Sequence, residues 1–179
     1  MRLALFLLAA AASAPVGPPG GEDLFRGPAR CLLSYLEAVR LAGPRGPVIA
    51  RQRRPSEQDY RQARALTAPR ALAEAEREAA NGVDHPLAPW RTAARGRVLE
   101  SFSLLAVRRA PRGTAVVTVR ERWRRDGLAW LEVTSSEYLL ARVDGEWKVI
   151  DRRAGGRFQD RDIAEGYPRW FDDPLPSRP

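Results

Sequence analysis

From Val98 to Arg153 the chain carries one proline, Pro111, and two Asp-Gly pairs, Asp126-Gly127 and Asp144-Gly145, each flanked by alternating apolar and polar residues. Asp-Gly readily takes the positive-φ turn that joins two antiparallel strands, and period-two alternation gives each strand one face to bury. The spacing predicts strands over 98–108, 114–124, 128–143 and 146–152, running as an antiparallel meander whose first turn is Ala110–Gly113.

Upstream the period changes. Cys31, Leu32, Tyr35, Leu36 and Val39 recur at helical spacing between Pro28, which suits a first turn, and the stop at Gly43-Pro44. Ser56-Glu57-Gln58-Asp59 opens a second helix that runs to about Leu66. Thr67 is placed to cap a third, with Pro69 near its start and Asn81-Gly82 at its end. Residues 84–89 read as a loop around His85. Helices first and a meander after make an α+β protein, with N-terminal helices packed on a curved antiparallel sheet.

Two-residue turns fix register, and register fixes which side chains meet. Around Asp126-Gly127 the expected pairs are Trp123 with Trp130, Glu121 with Glu132 and Val119 with Thr134. Around Asp144-Gly145 they are Arg142 with Trp147, Leu140 with Val149 and Tyr138 with Asp151. The first hairpin puts Leu104 opposite Val119, Phe102 opposite Glu121 and Glu100 opposite Trp123. Alternation then collects Phe102, Leu104, Val117, Val119, Trp123, Trp130, Tyr138, Leu140, Trp147 and Val149 on the helix-facing side, with Trp130 and Trp147 as core anchors. Arg120, Arg122, Arg124, Lys148 and Arg152 fall on the other face. A bend, with a bulge, is expected near Thr134-Ser135-Ser136 because the third strand is long.

Composition supports one domain with a real core, at 44% hydrophobic residues in 179. The single cysteine, Cys31, and single histidine, His85, exclude a disulfide framework and a multi-histidine metal centre, so neither metal nor cofactor is expected. No apolar run reaches the roughly 18 residues that span a bilayer. The net charge of +8 rests almost wholly on arginine, since Lys148 is the only lysine, and many arginines alternate with acids, as in Asp160-Arg161-Asp162. That pattern reads as compositional bias rather than a nucleic-acid surface, although Arg51/Arg53/Arg54 and Arg120/Arg122/Arg124/Arg125 offer weak anionic contacts.

Arg2, the apolar stretch Leu3–Ala12 and the small-x-small triplet Ala12-Ser13-Ala14 form a signal peptide pattern, which places the protein in the periplasm or outside the cell. The expected organisation is a signal peptide over 1–14, a Pro/Gly linker over 15–27, an α+β domain over 28–153 and a tail over 154–179. Tyr167, Trp170 and Phe171 are able to pin that tail back.

The stretch Tyr138-Leu139-Leu140-Ala141-Arg142-Val143-Asp144-Gly145-Glu146-Trp147-Lys148-Val149-Ile150, an apolar strand, an Asp-Gly turn and a Trp-Lys-aliphatic strand, closes this helices-then-meander chain. In this it resembles the nuclear transport factor 2-like (cystatin-like α+β cone) superfamily, in its small exported bacterial form, over about residues 29–153. The resemblance implies a sheet curled over helices with a pocket between them. It implies no single activity, because such cones include steroid isomerases, polyketide cyclases, dehydratases and proteins without catalysis. The Asp/His dyad of the dehydratases has no positional match here.

The sharpest local conflict in the chain is Glu121 against Glu132, two like charges expected side by side among tryptophans. Buried together, one would hold its proton and suit general acid–base work; otherwise arginines neutralise them or they stand at an open rim. Glu100 and Asp151 project to the same face. The candidate ligand-binding set is Glu121, Glu132, Trp123, Trp130, Tyr138 and Phe102. The leading expectation is non-catalytic binding of a small apolar or amphipathic ligand, or of a protein partner, through the sheet–helix pocket. The alternative is an isomerase, cyclase or dehydratase with Glu121 or Glu132 as base beside Tyr138 or His85. The sheet also offers a route to a homodimer.

Overall fold

A computed structural model describes residues 25–43 and 56–165; the expected signal peptide, most of the linker and Tyr167, Trp170 and Phe171 lie outside the described residues. A single π-helical turn, Phe25–Ala29, leads into α1 (Arg30–Ala42), and a 3₁₀ turn, Glu57–Tyr60, leads into α2 (Arg61–Ala65). Then come α3 (Pro69–Ala80), α4 (Pro89–Ala94), the strands β1 (Arg97–Ala110), β2 (Thr114–Arg125), β3 (Leu131–Val143) and β4 (Glu146–Ala154), and α5 (Asp160–Ala164). The strands form one open antiparallel sheet in the order β1-β2-β3-β4. The fold class is α+β. Among the described residues no helix is long and apolar enough to cross a membrane.

The helices end where their residues dictate. α1 stops at Gly43, whose N–H returns to the Val39 carbonyl at 3.1 Å. A side chain there would meet Val98 Cγ1 at 2.5 Å, so the helix end sits directly on β1. Asp59 accepts from both the backbone N–H and the hydroxyl of Ser56, closing the expected cap of the second helical segment. Thr67 is not the cap of α3; that position is Ala68. Thr67 instead bridges in parallel to Val149, while Ala68 N–H and Val149 N–H exchange bonds with Val149 and Leu66 carbonyls at 2.8 and 2.9 Å. The outer edge of β4 is thereby partly paired, which a free edge strand lacks. α4 forms where the sequence reads as the end of a loop, and it buries Trp90 against Tyr60, ring centroids 6.4 Å apart.

The sheet follows its turns, with one departure. Asp144 and Gly145 both have positive φ, 53° and 82°, as a two-residue type I′ turn requires, and Arg142 pairs with Trp147 and Leu140 with Val149 as expected. The Asp126-Gly127 connection is longer. Asp126 donates its N–H to the Gly96 carbonyl at 2.8 Å, which ties it to the start of β1, and Leu128 donates back to Arg125. β3 therefore begins only at Leu131, and its register against β2 is moved by two residues from the expected one: Trp123 pairs with Glu132 and Glu121 with Thr134. A shift of two preserves faces but changes every partner. Trp130 drops out of the sheet into the loop, 65% exposed, and is not a core anchor. Trp147 is only partly buried, packed at the margin of the core with Arg142 stacked over it.

The bulges also differ from expectation. The β2–β3 ladder is continuous through Thr134–Ser136, and the irregularities fall at Glu100 and Leu105 in β1 and at Ile150 in β4. Each extra residue swaps the faces beyond it. Leu99, not Glu100, therefore pairs with Trp123, and Arg152, not Asp151, pairs with Tyr138. The core joins α1 residues Leu32, Tyr35, Leu36 and Val39 to Val117, Val119, Tyr138 and Leu140. It continues past residue 153 into Phe158 and Ile163, with the Phe158 N–H donating to Glu137 at 2.7 Å.

Candidate functional site

The bulge at Ile150 turns Arg152 from the outer face, where simple alternation puts it, to the helix-facing side. There it meets Glu121, which the β2 register already points inward. Glu121 is fully buried and accepts four bonds: from Trp123 Nε1 at 3.1 Å, Ser136 Oγ at 2.9 Å, Tyr138 Oη at 2.5 Å and Arg152 Nη2 at 2.5 Å. The pair is an ion pair out of water, with side-chain exposures of 0% for Glu121 and 8% for Arg152. The Arg152 guanidinium also lies over the Trp123 and Tyr138 rings, at 5.5 and 5.7 Å, and the Tyr35 ring meets Tyr138 edge-on.

This environment fixes the ionisation of its members. Burial holds the Tyr35 and Tyr138 phenols above the ordinary tyrosine range, although Arg152 pulls the other way. Burial alone would weaken the charge on Arg152, but Tyr138 and Glu121 outweigh it and raise its pKa further. Three of these bonds fall on Oε2 and the Tyr138 hydroxyl takes Oε1, and the carboxylate they surround has no exposed surface for a substrate to reach.

Glu132 is elsewhere. It pairs with Arg97 at 2.8 Å and Arg125 at 3.6 Å, near the surface. The expected side-by-side carboxylates are therefore corrected: the longer 126–130 connection separates them, and each is paired with arginine. Glu100 lies outside the group, bonded to Arg124, and Asp151 pairs in register with Leu139. Of the six candidate ligand-binding residues, Glu121, Trp123 and Tyr138 form one buried cluster, and Phe102, partly buried, pairs with Glu121 across β1–β2. Trp130 stands apart in its loop, beside exposed Leu131 and Val133.

A cavity of about 440 Å³ opens next to this cluster, between the last turn of α4, the loop before that helix, the starts of β1 and β3 and the end of β2, with Arg152 of β4 reaching it. Arg152 is its most buried lining residue. Arg95, Arg97 and Arg125 surround the opening, with Asp84 and Glu132 between them; Arg95 is bonded to Asp84, and Arg97 lies over the Trp123 ring at 4.7 Å. His85 also lines it, and its Nδ1 accepts the Leu87 N–H at 3.1 Å, which leaves Nε2 as the proton-bearing nitrogen of the neutral ring. Sequence reasoning names His85 only beside an alternative base, and does not bring Arg95, Arg97 and Arg152 together with it. The bulge that aims Arg152 inward has no sequence signature of its own.

Cys31 is no part of this group. Its S–H donates to the Trp147 carbonyl at 3.0 Å, and burial pushes the thiol up to about 11, against a weaker opposing pull from Lys148. Neither a protein-family model nor a curated protein sequence matches the chain.

Proposed function

We propose that the chain is an exported, non-catalytic binding protein on a cone of the nuclear transport factor 2-like type, taking a small amphipathic ligand at the mouth between α4 and the sheet. The order of helices before a four-stranded antiparallel meander, and bulges that bend β1 and β4, support the cone reading. The Arg2, Leu3–Ala12 and Ala-Ser-Ala pattern supports export.

The observation that carries binding over catalysis is the burial of Glu121. An isomerase-type base must reach a substrate proton, and this carboxylate is fully buried with four donors already on it. What faces the cavity is instead a set of guanidinium donors, with Asp84, Glu132 and His85 among them and Arg97 lying over the Trp123 ring, suited to holding the polar end of a ligand. The test begins with protein recovered from the exported fraction, whose intact mass is expected to start at Pro15. Small molecules released from it by denaturation are weighed, then added back to the ligand-free protein. The released compound should shift the NMR signals of Trp123, Arg97 and His85 and be recovered unchanged. Conversion of that compound, or shifts confined to other surfaces, would overturn the reading.

A further inference from the structure

Resting on that reading of the mouth as a ligand site, we propose that the group it holds is a carboxylate monoanion. Three observations carry this beyond the general reading. First, Arg152 Nε is buried and has no hydrogen-bond partner among the described residues, although the same guanidinium bonds Glu121 and Ser136 through Nη2. A guanidinium at the floor of a cavity with one donor unmet has hydrogen-bonding capacity that an added acceptor can use. Second, the charges do not cancel. Four guanidiniums, Arg95, Arg97, Arg125 and Arg152, face three carboxylates, Asp84, Glu132 and Glu121, which leaves one positive charge for an incoming anion. Third, the donors are planar forks, whose geometry matches a two-oxygen acceptor, and His85 Nε2–H adds a neutral donor at the same opening.

A single excess charge favours a monoanion over a dianion, because a second negative charge would stand within the reach of Asp84 and Glu132. The ligand's carboxylate would sit among the Arg97, Arg125 and Arg152 guanidiniums, while its remainder lies toward the half-buried Arg97 stem and the rim. Nothing is transferred; the ligand enters and leaves as the same anion.

The test uses the full chain after signal removal, titrated by NMR with hexanoate, with hexanol as the neutral match in length, and with inorganic phosphate. Hexanoate is expected to bind at one site, shifting the Trp123 indole and the Arg152 Nε signals. Hexanol should be at least tenfold weaker, and phosphate weaker than hexanoate. Arg125→Gln, on an exposed side chain where the fold is retained, should weaken hexanoate about fivefold, and Arg97→Gln by at least as much. Hexanol binding at the mouth as tightly as hexanoate would overturn the carboxylate assignment while leaving the binding site standing. Phosphate binding more tightly than hexanoate would overturn the carboxylate assignment in favour of an oxyanion of another kind. If none of the three moves signals at the mouth, the binding reading itself falls with the proposal.

Discussion

Breaking the Glu121–Arg152 pair should be the most costly single polar change in this protein, and its cost should depend on which partners remain. In Glu121→Gln the guanidinium, 8% exposed, stays buried without its countercharge, and a neutral amide replaces two acceptor oxygens that serve four donors. Removing one partner of a buried pair costs about 3–5 kcal/mol. Arg152→Met strands the carboxylate with three neutral donors and should cost a similar amount. The double variant strands neither charge, and the apolar methionine occupies space beside Trp123 and Tyr138. Its loss should be smaller than the two single losses added together by at least 2 kcal/mol. Urea melts of the four proteins, followed by circular dichroism, give the cycle directly. Because whole-domain stability is about 5–15 kcal/mol, the single variants should still show a folded baseline at low temperature. Additivity within about 0.5 kcal/mol would refute the reasoning, since groups that do not interact are additive to that degree.

Three further outcomes follow from positions rather than pairs. Tyr35 and Tyr138 hold their protons above the ordinary tyrosine range in the folded state, so the unfolded chain releases them first as pH rises. Stability should therefore be intact below about pH 10 and fall above it by up to about 1.4 kcal/mol per pH unit for each tyrosine; Tyr35→Phe should halve the slope in alkaline urea melts. Cys31, with its thiol pushed up to about 11, should react with a disulfide reagent at pH 8 about 100-fold more slowly than in the unfolded chain, and a rate equal to that of the unfolded chain would show the thiol is open. Trp123→Ala should cost about 3–5 kcal/mol, whereas Trp130→Ala, on a loop side chain 65% exposed, should cost under 1 kcal/mol in the same melts.

What the sequence makes legible here is decided by whether a turn has one geometry or several. Among the described residues Asp144-Gly145 makes no bond outside its own hairpin, so its two positive-φ residues close it in the register that alternation predicts, and the class of the fold and its helices-first order are readable with it. Asp126-Gly127 carries the same letters, but Asp126 is bound to Gly96, a residue 30 positions earlier, and the turn opens by two residues on each β3 partner. No local pattern reports a bond made by a residue so distant in sequence. The same holds for the bulges. Val149-Ile150-Asp151 alternates less cleanly than an ideal strand, yet only the packed sheet reveals that both Val149 and Ile150 are buried and that Arg152 is thereby turned inward. The candidate site inherits this asymmetry. Glu121, Trp123 and Tyr138 sit on the face that alternation predicts because a shift of two leaves parity unchanged, whereas alternation puts Arg152, the partner that neutralises Glu121, on the opposite face and a single-residue bulge reverses it. A carboxylate that looks like a catalytic base when paired with a second acid becomes, with its arginine in place, the anchor that holds a guanidinium at the edge of a cavity. The chemistry of the mouth thus turns on one inserted residue in β4, and deleting Ile150 to restore plain alternation should expel Arg152 from the Glu121 cluster and remove the cationic floor of the site.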